Sequence, residues 1–178
     1  MSRCEVLRLR PVPHETVSLG LQTVFKIPGE QARFLAQLSG GRPGFALQLH
    51  TSPEKLEERK QWISDHLKLL HDSRVERFVY AERLSKDKEN LQKALQTWLS
   101  LWRDVLLRAA GTSNPIANPD QANAIEELAK QFSLETTHKV VSALQQTLDR
   151  LDRNVNARLA TEVLMLDLPK ITLPPAKK

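Results

Sequence analysis

Leu91, Leu95, Trp98, Trp102, Val105 and Ala109 follow one another at alternating steps of four and three residues. That spacing puts all six on one stripe of an α-helix, and so long a stripe has to be covered by another element. Val141, Leu144, Leu148, Leu151 and Val155 repeat the pattern further along. Two heptad-type seams in one chain predict helix packed on helix. The rest of the sequence agrees. After residue 30 the strong helix formers Leu, Ala, Gln, Glu, Lys and Arg dominate, and there are only six glycines in 178 residues to interrupt them. The expected fold class is mainly α, with length enough for one medium domain or two small ones.

In chain order, Val6, Leu7 and Leu9 alternate with charged residues ahead of Pro11 and Pro13, which predicts a short strand within residues 1–12. A single strand has no sheet to join, so it is expected to be the remnant of a larger preceding domain. Residues 13–50 read as a three-helix module: Pro13 to Phe25 with Val17, Leu21 and Val24 inward, then Glu30 to Leu38, then Pro43 to Leu49. Ser39-Gly40-Gly41 stops the second helix because glycine tolerates positive φ, and Pro43 suits the first turn of the third.

Residues 51–170 read as a larger helical domain. Ser52-Pro53 opens a helix with Leu56, Ile63, Leu67 and Leu70 inward. Arg74 to Ala110 is helical with a break at Ser85-Lys86-Asp87. A loop over 111–119 precedes a short helix from Asp120 to Phe132. A last long helix is expected from Thr136 to Leu166. Asn154 and Asn156 interrupt its stripe, and central polar residues of that kind hydrogen-bond a neighbouring helix or fix register. Pro169 ends the domain, leaving 171–178 as a tail.

Composition excludes several function classes. The one cysteine, Cys4, rules out an internal disulfide and fits a reducing compartment. No apolar run approaches the ~20 residues that span a bilayer, so no membrane partner is expected and the cytoplasm is the expected location. None of His14, His50, His66, His71 and His138 sits in a nucleophile or metal motif, so neither an enzyme nor a metal site is expected. The net charge of +5 is spread along the chain and not gathered into a stripe, so direct DNA binding is not signalled. Two classes remain: a subunit of a larger assembly, or a free-standing helical regulator that binds protein or nucleic acid. The regulator would need a continuous Lys/Arg face. The assembly subunit would leave apolar surface on the helices of 91–109 and 141–166 uncovered.

Four stretches favour the assembly class by resemblance. Leu35 to Leu49, LAQLSGGRPGFALQL, resembles the lid segment of AAA+ clamp-loader ATPases. Ser2-Arg3-Cys4 is similar to their Ser-Arg-Cys motif. LWRDVLLRAAG over 101–111 and NVNARLATEVLMLDLPK over 154–170 resemble the collar of the delta prime family of bacterial DNA polymerase III clamp-loader subunits. The resemblance implies a strand remnant of an AAA+ core over 1–12, a lid over 13–50 and an all-α collar over 51–170.

It also implies roles. Arg3 would be an arginine finger acting in trans, its guanidinium stabilising charge on a phosphoryl group in a neighbouring subunit's ATP site. ATP-binding members of the family carry an arginine two residues before the small residue of Ala46-Leu47. Gly44 stands there in this chain, and Arg42 does not match the motif. ATP and magnesium would therefore belong to partner subunits, and the phosphate-binding and magnesium-binding motifs of the family lie upstream of this stretch. The chain itself would have no enzymatic centre, while the holoenzyme is a DNA-directed DNA polymerase. The partners implied are the other clamp-loader subunits in a hetero-oligomeric ring, and through the assembly the sliding clamp and primed DNA during DNA replication. Trp98, Trp102, Leu144, Leu148, Asn154 and Asn156 would form the interface.

Overall fold

A computed structural model describes residues 10–171. The Ser2-Arg3-Cys4 motif, the strand expected up to residue 9 and the tail after Ile171 lie outside the described residues. Within them all regular structure is helical, and Arg10, Pro11 and Val12 form no strand. The chain divides into two compact units, the first reaching Pro53 and the second starting at Glu54.

The first unit holds α1 (His14–Phe25), α2 (Gly29–Leu38) and α3 (Pro43–Thr51), packed on one another. Val17, Leu21, Ala32, Leu35, Ala36, Ala46 and Leu49 fill its core. Val24, expected to share the inward face of α1, is exposed. Lys26 takes a left-handed φ of 57° at the end of α1, and the chain folds back so that the Ile27 N–H bonds Leu21 O at 3.2 Å. Ile27 is buried in consequence and takes the core position that Val24 would have held.

The second unit holds α4 (Pro53–Leu69), α5 (Arg74–Leu84), α6 (Lys88–Ala109), a 3-10 turn (Pro119–Gln121), α7 (Ala122–Gln131), α8 (Leu134–Asp152) and α9 (Ala157–Asp167). α6 is the spine. It packs on α8 and α7, and its seam from Leu91 to Val105 is wholly buried. The break expected at 85–87 is present. The Asp87 carboxylate accepts the Glu89 and Asn90 N–H groups and so starts α6.

The single long helix expected over 136–166 is instead two. α8 ends at Asp152, Asn154 adopts a left-handed φ of 57°, and Asn156 Oδ1 accepts the Leu159 N–H at 3.0 Å to cap α9. Asn tolerates the left-handed region better than other side-chain-bearing residues and is among the best N-caps. The two asparagines therefore make the turn, and Asn154 Oδ1 also accepts from Lys88 Nζ at the start of α6 at 2.8 Å, so the expected bond to a neighbouring helix is present at Asn154. α9 folds back onto α5 and α8. Val155, expected in the seam, lies in this turn and is exposed.

Arg77 holds the far end of α9 in place. Its guanidinium is buried and donates to five carbonyls: Leu69 (2.7 Å) and Leu70 (3.4 Å) at the end of α4, and Met165 (3.1 Å), Leu168 (2.7 Å) and Pro169 (2.8 Å) at the end of α9. Carbonyls at helix C-termini lack intrahelical donors and carry partial negative charge, so one cation satisfies both ends. The Ile171 N–H adds a bond to Leu70 O at 2.8 Å. Among the described residues no helix is long and apolar enough to cross a membrane.

Two substitutions test this account in urea melts. Asn154→Gly is expected to keep or raise stability, because glycine suits a left-handed turn; in an uninterrupted helix it would lower it. Arg77→Met is expected to cost about 3 kcal/mol or more, since it orphans buried carbonyls at two helix ends.

Candidate functional site

In the first unit the glycine turn places two of the residues singled out above. Gly44 lies on the exposed first turn of α3, with open space where a Cβ would stand. Arg42 is exposed at the turn and folded along it. Its Nε donates to Ser39 O at 2.9 Å and its guanidinium lies 4.8 Å over the Phe45 ring. The position that would carry a phosphate-seeking arginine thus has no side chain, and the nearest arginine is engaged by its own turn.

In the second unit Trp98 and Trp102 are wholly buried, and so is Leu144. Trp98 Nε1 donates to Trp62 O at 2.7 Å, and Trp102 Nε1 donates to His66 Nε2 at 2.6 Å. The His66 ring stacks on Trp98 with centroids 4.5 Å apart. These aromatics join α6 to α4 and have no surface left for a second chain. Of the expected interface residues, Leu148 is half-buried beside a shallow groove between α6 and α8, while Asn154 and Asn156 are exposed at the turn.

His66 is a neutral core residue. Because Nε2 accepts, the proton sits on Nδ1, which has no hydrogen-bond partner. Burial, with a smaller contribution from the Arg77 charge, pushes its pKa down to about 3. The other buried polar cluster is also structural. The Asp104 carboxylate accepts the Ala117 and Asn118 N–H groups and the Asn118 side-chain amide. Asn118 Oδ1 accepts from Arg59, which pairs with Asp120 at 2.6 Å. Every member is satisfied, and the cluster pins the loop before α7 onto α6 and α4. Among the described residues no group of three or more His, Cys, Asp or Glu is placed to hold a metal.

What the unit leaves open is an outer stripe on α9 and three apolar residues on α5, two of which, Val75 and Val79, line a groove against α4. The two helices run antiparallel: Arg158 at the start of α9 pairs with Glu82 near the end of α5 at 3.2 Å, while Arg77 near the start of α5 bonds carbonyls at the end of α9. Val75, Phe78 and Val79 are exposed on α5, and Leu159 (58%), Val163 (37%) and Leu166 (53%) on α9. The α9 set is spaced by four and three residues, one helix face. The opposite side, Ala160, Leu164 and Met165, is buried. α9 therefore carries a second, outer apolar stripe, set apart from its buried side by Arg158, Glu162 and Asp167, and an exposed apolar stripe of this kind marks an interaction surface. The seams of 91–105 and 141–151 are closed within the chain, against the expectation that an assembly subunit would leave them partly uncovered; the uncovered apolar surface lies elsewhere, on the outer stripe of α9. Reading 136–166 as one helix hides the stripe, because its phase is visible only once α9 starts afresh at Ala157.

A family model described as DNA polymerase III, delta subunit, C terminal, matches residues 53–170, which takes in α4 to α9. The DNA polymerase III subunit delta' of Bacillus subtilis (strain 168) is 25% identical over 172 residues, a match that covers 94% of this chain and 51% of that protein. The chain thus spans about half the length of the curated relative it matches.

His66 gives a pH signature. The unfolded chain protonates this residue near its ordinary value of 6.5, whereas the folded chain holds it neutral down to about 3. Its contribution to stability is therefore full above pH 6.5 and drains away as the pH falls toward 3, by up to about 1.4 kcal/mol per unit. Denaturant melts across that range are expected to show the slope in the native sequence and a flatter profile in His66→Gln, which keeps an acceptor for Trp102.

Proposed function

The chain belongs to the family formed by the C-terminal region of the DNA polymerase III delta subunit, and on that premise we propose that it serves as a clamp-loader subunit of the delta prime type. In this reading the second unit is a collar that joins other clamp-loader subunits in a hetero-oligomeric ring in the cytoplasm. The sliding clamp and primed DNA are reached through that ring. The observation that carries the reading is the uncovered apolar side of α9, continued on α5, in a unit whose core is otherwise closed. Two partly exposed ridges side by side offer a seat for a helix of another subunit, and burying them there gains the hydrophobic contribution that the single chain leaves unused.

The first unit contributes to the ATP cycle without holding nucleotide. Gly44 has no side chain to reach a phosphate, and Arg42 is held by Ser39 and Phe45. ATP and magnesium are accordingly assigned to partner subunits. Arg3 is the finger: presented to a neighbour's ATP, its guanidinium offsets the charge that spreads over the phosphoryl oxygens during transfer. The likeness to the Bacillus subtilis subunit delta' supports this assignment, because it runs over 94% of the chain and so includes the lid as well as the collar.

Two experiments on the full-length protein reconstituted with ATP-hydrolysing partners test the reading. Arg3→Ala is expected to lower DNA-stimulated ATP turnover by about a thousandfold or more with assembly intact; turnover equal to that of the native sequence removes the finger. Leu159→Asp combined with Val163→Asp is expected to abolish co-elution with the partners while the thermal melt of the isolated protein hardly moves, since both positions are exposed. Undisturbed co-elution would dissociate α9 from assembly.

A further inference from the structure

The outer stripe of α9 is arranged about its own centre. Leu159 and Val163 lie at equal distances from the level of Thr161. Leu166, on the same stripe, and Val155, exposed in the turn just ahead of α9, lie at equal distances from a point between Ala160 and Thr161. A stripe of this kind fits a reversed copy of itself. In an antiparallel pair of identical helices, Leu159 of one copy stands at the level of Val163 of the other, and Leu166 at the level of Val155.

The charges beside the stripe have the same centre. Arg158 and Glu162 lie at equal distances from the level of Ala160. They stand on one flank of the stripe, since Arg158 Nε donates to Glu162 Oε1 at 2.8 Å. A two-fold axis between antiparallel helices brings like flanks together. Arg158 of each copy therefore comes opposite Glu162 of the other, and the pair forms twice. Both side chains remain open to such a contact, with exposures of 55% and 27%. All three midpoints fall within one residue of one another, about 1.5 Å along the helix axis. Apolar contacts and opposite charges thus ask for the same register.

We propose that α9 is a self-pairing surface: two copies of the chain pack this stripe antiparallel about a two-fold axis at the level of Ala160 and Thr161, with reciprocal Arg158–Glu162 ion pairs along one flank. The pair is a weak one. α9 has eleven residues, about 16 Å of helix, and a contact of that length falls short of the roughly 1,200 Å² at which stable interfaces begin. One consequence rests on the collar reading: self-pairing keeps the assembly stripe out of water until a partner subunit takes it, and a weak pair yields to that partner.

Sedimentation equilibrium of the full-length protein tests the proposal. Up to about 1 mM, the native sequence is expected to exchange reversibly between monomer and dimer, with a Kd on the order of 100 µM. Leu159→Asp combined with Val163→Asp is expected to be monomeric throughout, with an unchanged circular dichroism spectrum. Arg158→Glu and Glu162→Arg are each expected to raise Kd by about tenfold or more, because each sets like charges against one another across the axis. An equal mixture of these two single variants is expected to regain the native Kd as a heterodimer, since opposite charges then meet at both places; a role confined to one chain's own stability gives no such rescue. A native protein that stays monomeric, a dimer that survives the double aspartate substitution, or a mixture no tighter than its components overturns self-pairing. A monomer that nonetheless co-elutes with ATP-hydrolysing partners overturns self-pairing and spares the collar. A dimer that never co-elutes with them spares self-pairing and removes the collar, and one that persists inside the complex overturns the shielding of the stripe.

Discussion

Arg77 ties together the ends of two helices that are far apart in the chain, with sequence separations of 8 to Leu69 and 91 to Leu168. A buried guanidinium surrounded by carbonyl oxygens is stable because each N–H meets a helix-end acceptor that would otherwise be left without a donor. The consequence reaches beyond stability. The ion pair of Arg158 with Glu82 lies at one end of the α5–α9 pair and the Arg77 cluster at the other, so α9, which carries the proposed assembly stripe, is held at both ends.

The buried polar groups of the second unit are committed to packing. His66, Asp104, Arg59 and Asp120 are the groups that elsewhere do acid–base work, and each is committed to holding helices together. Trp102 donates to His66, and Asp104 accepts two backbone N–H groups and a side-chain amide. Burial and bonding of this kind fix the position of a helix or a loop. What the second unit offers outward is apolar surface on α9.

Much of the fold is legible in the sequence, because one-sided apolar spacing and caps are local signals. The α6 seam, the break at Asp87 and the glycine stop before Pro43 all rest on neighbours within four residues. The turn at Asn154 and Asn156 escapes such a reading because Val155 continues the heptad phase by coincidence, and asparagine serves equally as a polar interruption or as a left-handed turn. The seam residues Trp98, Trp102 and Leu144 look available to a partner, since spacing cannot say whether a stripe is covered by its own chain or another. Arg77 is invisible: an arginine on an amphipathic helix reads as solvated, and its five acceptors are backbone carbonyls that no composition reveals. The contact of Val12 with Gly41 is half visible, as a Pro-Val-Pro stretch and a double glycine, but their meeting is tertiary.

The central claim is that the chain functions inside an assembly of clamp-loader subunits and not alone. Amide hydrogen exchange of the full-length protein, measured alone and after mixing with ATP-hydrolysing clamp-loader subunits, tests this most directly. The expected result is a stable hetero-oligomer, with protection gained along α5 and α9 and little change in the already buried α6. No complex at micromolar concentration, or a complex that leaves α5 and α9 exchanging as in the free protein, would contradict it.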